Sequence, residues 1–327
     1  MEDRNEKILW EGYGLRLRGT SRTRTGLICR TDQGVRELKK PRGGEESLRL
    51  AYQVKTQLQE NGFDRISRMY ETLEGEPYYR YDGVLYILED PMPAESLGEE
   101  NTADFVRGAE TLGQLHTAAA GLSGEGWNRY RLPELYSKRR RELSKMRRRK
   151  EKKGNYDSID LLLLRYYEQY FAQVQEAEQL LAQGDYGGAV DRAAEKGAFC
   201  HNAYKSEALR LDSGGRVFVG NFDKCSRELP LADLAFYLLR YGKKTAGESD
   251  GVWEILESYS RHCPLSDRDL TLLRGMLVYP EKFLRLVNEY HNRRRACVSP
   301  AMQERLSAAA EEAKKGVWLK HVIERGC

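Results

Sequence analysis

The sequence predicts an α+β protein in two parts: a small, mostly-β N-terminal lobe over residues 8–92 and a larger helical lobe over 93–323. Three observations predict this. Up to Glu89, short apolar alternations are separated by the turn signals Asp32-Gln33-Gly34, Glu74-Gly75 and Asp82-Gly83. Beyond Asp90-Pro91-Met92-Pro93 the apolar spacing becomes helical and stays so to Ile323. One stretch, 199–223, interrupts the helices with a loop and a hairpin. The chain of 327 residues suffices for one large or two ordinary domains with a sizeable core, and its 32% charged residues imply a heavily charged surface.

In the first lobe, strands are expected at 15–18 and 27–30 around the loop Gly19-Thr20-Ser21-Arg22-Thr23-Arg24-Thr25, with a third at 35–40. A helix follows over about 45–60, with Leu48, Ala51, Tyr52, Val54, Lys55 and Leu58 on a mixed face, and Gly62 stops it. Three more strands are expected at 66–73, 78–81 and 84–89. In the second lobe Thr102 reads as the N-cap of a helix whose face holds Phe105, Ala109, Leu112, Leu115 and His116, the last as a packed core histidine. Asp157 and Ser158 cap a long helix to about 182, and a shorter one ends at Lys196-Gly197. Further helices are expected at 252–260, 267–277, 280–294 and 302–323.

Several classes are disfavoured. No apolar run approaches the roughly 20 residues that span a bilayer. The first residues are too acidic for a signal peptide, so the protein is expected to stay in the compartment of its synthesis. Cysteines 29, 200, 225, 263, 297 and 327 form no Cys-x-x-Cys pair and read as free thiols in a reducing compartment, with Cys327 free to cross-link. The five histidines form no metal-binding pattern.

Charge is concentrated in one place. Residues 138–153 hold eleven Lys/Arg against two Glu, net +9, while the whole chain is +4. The basic balance therefore reports one segment. Two readings are open: a solvated helix anchored by Leu143 and Met146, or a contact for an anionic partner through residues such as Arg147, Arg148 and Arg149. The run lacks aromatics to stack bases, which argues against nucleic acid.

The stretch 199–239 carries the chemistry. Leu209-Arg210-Leu211 and Val217-Phe218-Val219 flank Asp212-Ser213-Gly214-Gly215, a strong hairpin signal; Asn221-Phe222-Asp223 closes the second strand, and Pro230 opens a helix. This order resembles the catalytic segment of kinase-like phosphotransferases, the aminoglycoside-phosphotransferase branch in particular. There a His-x-Asp-x-x-x-x-Asn loop precedes a strand ending in Asp-Phe-Asp or a relative of it. The resemblance implies a two-lobed protein-kinase-like fold with ATP and magnesium as the usual cofactors. It puts His201 at the motif histidine, Ala203 at the base, Ala208 at the loop metal ligand and Asn221 at the strand metal ligand. It puts Lys39 at the strand lysine that pairs with phosphates, with Lys40 as rival register, and Glu46, less well Glu45, at the helix glutamate. Asp223 remains near the phosphates, and Asp233 matches an aspartate that braces the loop.

Phosphoryl transfer needs a carboxylate beside the acceptor hydroxyl and oxygen ligands for magnesium. An alanine methyl supplies neither, and Asn221 keeps an oxygen without its charge.

More closely, the chain resembles CotS-family spore-coat proteins over roughly 8–322. The resemblance rests on Thr31-Asp32-Gln33-Gly34 leading to Leu38-Lys39-Lys40, on Asn61-Gly62-Phe63, on Gly75-Glu76-Pro77-Tyr78, on Leu115-His116-Thr117-Ala118, on the basic segment, and on 197–204. Ala203, Ala208 and the segment Asp90-Pro91-Met92-Pro93 depart from the family pattern. It implies synthesis in the mother cell, a place in the endospore coat and other coat proteins as partners. The reading favoured is a catalytically inactive pseudo-phosphotransferase with no working cofactor, whose affinity for ATP is weak and little dependent on magnesium. Two alternatives stand beside it. One is an active small-molecule kinase using Asn221, Asp223 and Glu207 for metal; the other is a polyanion-binding protein working through 138–153. The small-molecule ligand, if any, is not legible.

Overall fold

The computed structural model describes residues 2–23, 26–122, 124–128, 130–154, 156–245, 249–292 and 300–326; Cys297 and Cys327 lie outside them. The chain divides into two compact units, one of 1–98, 111–125 and 196–230, the other of 99–110, 126–195 and 231–327. This differs from a single division at 92/93, because the loop and hairpin of 199–223 pack with the first unit. The Val219 N–H donates to the Arg65 carbonyl at 2.8 Å, and Ile66 bridges Val219 in parallel.

The first unit opens with α1 (Glu2–Tyr13), followed by β1 (Leu17–Arg22), β2 (Leu27–Thr31), β3 (Gly34–Lys39) and α2 (Glu45–Glu60). Then come β4 (Met69–Tyr70), β5 (Tyr79–Tyr81) and β6 (Val84–Glu89). The antiparallel sheet runs β1-β2-β3-β6-β4, with β5 also on β6. Three expectations are corrected here. A helix, not loop or strand, begins the lobe: α1 buries Ile8, Leu9 and Tyr13 against Cys29, Leu38, Tyr86 and Leu88. The segment expected as a loop after Gly19 is strand up to Arg22, since a bulge between Leu17 and Gly19 lets the pairing with β2 continue. The strand expected at 66–73 shrinks to two residues. Beyond Tyr70 the Thr72 and Leu73 N–H groups donate to the carbonyls of Glu76 and Gly12 instead of a neighbouring strand.

A smaller sheet joins β7 (Glu95–Ser96), β8 (Leu209–Leu211) and β9 (Val217–Val219) in that order. Helix α3 (Thr102–Ala118) contributes to both units. Its cap is Asn101, whose side-chain oxygen accepts from Asp104 N–H at 2.9 Å, one residue before the expected Thr102. His116 is buried, its ring edge-on to Phe199.

The second unit holds α4 (Arg131–Lys153), α5 (Ser158–Gln183), α6 (Tyr186–Glu195), α7 (Leu231–Lys244), α8 (Ser249–Ser260), α9 (Asp267–Val278), α10 (Glu281–Asn292) and α11 (Pro300–Gly326). Asp157 starts α5 as expected, accepting from Ile159 and Asp160 N–H at 2.9 Å in a capping box. Helix α5 packs against α4 and α9, and α11 against α7, α9 and α10. Tyr136 stacks on Tyr279 at 3.6 Å between ring centroids, and Tyr170 packs tilted against Phe283 at 4.2 Å.

Close approach of α11 to α9 depends on Gly316, where an added Cβ would collide with the Leu277 carbonyl oxygen. Gly→Ala inside a helix ordinarily gains about 1 kcal/mol. Gly316→Ala is expected to reverse that sign and destabilise by about 1–3 kcal/mol through overpacking. Chemical denaturation checks it; a stabilised variant would show that the two helices part without cost.

Candidate functional site

Strands β3 and β6 pair in a register that sets Glu37 beside Glu89 and Lys39 beside Ile87. Period-two alternation puts Glu37 and Lys39 on one face of β3. Helix α2 buries Leu48, Ala51, Val54 and Leu58, and Lys55 lies on the same buried face. Four charged groups therefore converge. Lys39 Nζ donates to Glu89 at 2.8 Å and lies 3.0 Å from Glu37. Lys55 Nζ donates to the other Glu89 oxygen and to Ser67 Oγ, the latter at 3.1 Å, and lies 5.4 Å from the centroid of the Phe222 ring. Burial alone would raise the Glu89 carboxyl, but the charges and hydrogen bonds of Lys55 and Lys39 hold it down to about 2. Burial pulls the Lys55 ammonium below its ordinary value against the attraction of Glu89. It pulls on Lys39 too, but there Glu89 and Glu37 win and the ammonium is raised.

Above this cluster lies a cavity of about 430 Å³ within the first unit. Its size suits a small ligand. The walls include six cations, Lys39, Lys40, Arg42, Lys205, Arg210 and Lys224, against the carboxylates Glu89, Glu207 and Asp223. Ala203, Asn221 and Phe222 complete the side formed by the loop and hairpin.

The loop is held by its backbone and His201. The Ala203 N–H donates to His201 Nδ1 at 3.2 Å, so the ring proton sits on Nε2, which donates to the Gly220 carbonyl at 2.8 Å. The Gly220 N–H in turn donates to the Ala208 carbonyl at 2.8 Å. Asn202 ties the loop to the segment beyond Asp223 through the Lys224 carbonyl and Ser226 Oγ. Asn221 has φ +60° and ψ +48°, a left-handed conformation that asparagine adopts more readily than most residues. Its side-chain NH2 donates to the Glu207 carbonyl at 3.3 Å.

The structure brings Lys39, Ala203, Asn221 and Asp223 to one cavity. Ala208 is buried below it, 1% exposed. The expectation for Glu46 is corrected. The carboxylates on Lys39 come from the strands, and Glu46 is not among the residues lining the cavity. Glu45 bonds Tyr78 and Arg80 instead. The reason is helical position: both glutamates sit in the first turn of α2, and the residue that reaches the strand carboxylate is Lys55, about 13 Å further along the axis. Lys40 lies 5.5 Å from the centroid of the Tyr86 ring. Asp233 is buried in the first turn of α7, in the second unit. Arg147 is also corrected as a free contact: it bonds Glu151 at 2.7 Å, pairs with Glu168 and covers the Tyr167 ring. Arg148 and Arg149 are exposed. Glu89, Lys55 and Lys205 were not singled out as site residues from sequence. For Lys55 a signal existed, a lysine on the apolar face of an otherwise well-patterned helix.

Of the motif's metal-ligand positions, Ala208 offers no ligand atom, while Asn221, whose amide nitrogen donates to the Glu207 carbonyl, keeps an uncharged side-chain oxygen; Glu207 and Asp223 line the same cavity.

Strand order, hairpin and helices together make a kinase-like fold of the aminoglycoside-phosphotransferase type. Among solved structures, an aminoglycoside phosphotransferase from Alicyclobacillus acidocaldarius superposes with a TM-score of 0.80 at 17% identity, covering 96% of this chain and 93% of that one. A choline kinase from Cryptosporidium parvum gives 0.53 at 10% identity over 100% and 97%. The chain belongs to the family described as "Spore coat putative kinase YutH", whose model matches residues 6–320. The endospore coat-associated protein YutH of Bacillus subtilis (strain 168) is 24% identical over 253 residues, 76% of this chain and 71% of that protein. The spore-coat and kinase-like class read from the sequence stands, with YutH as the family that matches.

Glu89 is the group to test. Glu89→Gln leaves Lys55 buried without a counter-charge and is expected to cost about 3–5 kcal/mol, while Glu89→Gln with Lys55→Met recovers much of the loss. Because the folded carboxyl titrates below its ordinary value, the contribution of Glu89 is full above about 4.5 and disappears as pH falls toward about 2. Unfolding free energies measured over that window check both statements. A wild-type acid slope unchanged in the single variant would remove Glu89 as its source.

Proposed function

We propose that this protein is a component of the endospore coat whose kinase-like cavity binds a phosphate-bearing anion and does not transfer phosphoryl groups. One observation carries the reading: around an intact cavity, the base and loop-ligand positions are Ala203 and Ala208, and the strand-ligand position is the uncharged Asn221. Transfer chemistry is mostly positioning and electrostatics. A missing base alone would slow it. Losing the base carboxylate, the loop ligand and the charge of the strand ligand takes away much of the stabilisation of charge as well.

Binding requires less. The six cavity cations outnumber its three carboxylates, and lysine can hold phosphate as a point charge without metal. Glu37 and Glu89 already balance Lys39 and Lys55, so Lys40, Arg42, Lys205, Arg210 and Lys224 supply the excess, although Lys205 also lies 3.4 Å from Glu207. The coat location rests on family membership and on the coat association of the Bacillus subtilis relative. Synthesis in the mother cell belongs to the same reading. Among the described residues no helix is long and apolar enough to cross a membrane.

Calorimetry with ATP or ADP is expected to give affinities that magnesium changes by less than about threefold, under about 1 kcal/mol. Lys205→Ala with Lys224→Ala is expected to weaken binding by about tenfold or more without changing the melting temperature. Product assays with sugars, aminoglycosides and protein acceptors are expected to show no transfer. Magnesium-dependent turnover lost on Asn221→Ala or Asp223→Ala would overturn the reading in favour of an active small-molecule kinase.

A further inference from the structure

Helix α4 divides its cations between two jobs. Those on its flanks are spent inside the second unit: Arg139 on Glu142 at 2.7 Å, Arg140 on Glu178 at 2.8 Å, Arg147 on Glu151 and Glu168, and Lys150 on the buried Asp160 at 2.5 Å. Six others, Lys138, Arg141, Lys145, Arg148, Arg149 and Lys152, are exposed and have no ion-pair or hydrogen-bond partner among the described residues. At about 100° per residue these six fall within one arc of about 100°, opposite the buried Tyr136 and Leu143. Every position of that arc between 138 and 152 is a cation. Five of them, 138, 141, 145, 148 and 152, repeat at intervals of three and four, drawing a straight line about 21 Å long.

We infer that this line is a docking surface for an acidic helix of another protein, one whose Asp or Glu residues repeat at the same three- and four-residue intervals. Spacing supplies the argument. Cations along the line are about 4.5–6 Å apart in axial rise, and a helix with carboxylates at that repeat presents the same rise, so successive pairs come into register over four turns. An extended acidic strand places same-face side chains nearly 7 Å apart and loses register within a few residues. The line contains no aromatic residue to stack bases, and no apolar residue to enter a bilayer. This deepens the coat-component reading by giving the chemistry of the partner, and it rests on that reading only for where the partner is found.

The test uses the full-length protein and a synthetic 21-residue helix of alanine and glutamate with Glu at alternating three- and four-residue intervals, titrated at low and physiological salt. Probes for comparison are a scrambled peptide of equal charge, a 20-base-pair DNA duplex and vesicles containing phosphatidylserine. The patterned peptide is expected to bind at least tenfold tighter than the scrambled one, with affinity falling steeply as salt rises. Arg141→Glu, Lys145→Glu and Arg148→Glu together should abolish this binding, and the corresponding Gln variants should weaken it, with melting temperature and nucleotide affinity unchanged. Equal binding of both peptides, no binding of either, or tighter binding to duplex or vesicles would overturn the inference. Fluorescent fusions in sporulating cells separate the two readings. A wild-type fusion absent from the coat sinks the coat reading, whereas a triple variant that still reaches the coat sinks only the docking surface.

Discussion

Taking the Glu89 carboxylate out of water costs several kcal/mol, and the first unit offsets that cost by bringing two ammonium groups to it from different elements. Lys39 arrives from β3, Lys55 from α2, and Ser67 adds a hydroxyl. Three segments distant in sequence are thereby fixed to the end of β6. The phenyl ring of Phe222 lies by the Lys55 ammonium, so the turn carrying Asn221 and Asp223 takes its place from the same cluster. In the kinase-like motif the resemblance implies a carboxylate on the helix reaching a lysine on the strand. Here the polarity is reversed: the helix gives the cation and a strand gives the carboxylate. The cluster as a whole, two lysines with Glu37 and Glu89, carries no net charge.

That neutrality shapes the cavity above it. Lys39 is committed below, so an anion entering the cavity is met mainly by cations on less constrained segments: Lys40 and Arg42 after β3, Lys205 in the loop and Lys224 beyond Asp223. Lysines on short segments tolerate different phosphate geometries, whereas in-line transfer demands one geometry held closely. Binding and transfer therefore make separate demands on the same site.

Much of the fold was legible because its local signals were strong and agreed. Helix α2 and strand β6 fall where the apolar pattern and Gly62 or Asp82-Gly83 put them; α5 starts at Asp157 because a short acidic side chain can bond the first free N–H groups. What escaped had little local signal. Helix α1 has a polar first half and only Ile8, Leu9 and Tyr13 to bury, and its stability comes from β2, β3 and β6 rather than its own sequence. Strand β7 is two exposed residues, defined only by its partner β8. At the site the motif positions were legible from order alone, but the partner of Lys39 was not, since Glu46 and Lys55 differ by where the helix axis passes the sheet. Lys55 stood seven residues after Leu48, four after Ala51 and three before Leu58, all on the buried face. A charge in that row needs a buried counter-charge, and Glu89 at the end of an apolar strand was the candidate.

The loop shows why a site can change its side chains and keep its shape. Its fixed points are backbone groups and one ring: Ala203 N–H to His201, His201 to the Gly220 carbonyl, Gly220 N–H to the Ala208 carbonyl, and the exchange between Cys200 and Ser226. None of these bonds depends on the side chain at 203 or 208, so alanine serves there as well as aspartate or asparagine would. At 208 it serves better in isolation. The position is fully buried, and an amide there without a metal or another partner would leave polar atoms unsatisfied at a cost of about 1–3 kcal/mol. Alanine removes that liability. Where no metal stabilises a polar residue at this depth, the packing itself favours the methyl group on the same backbone.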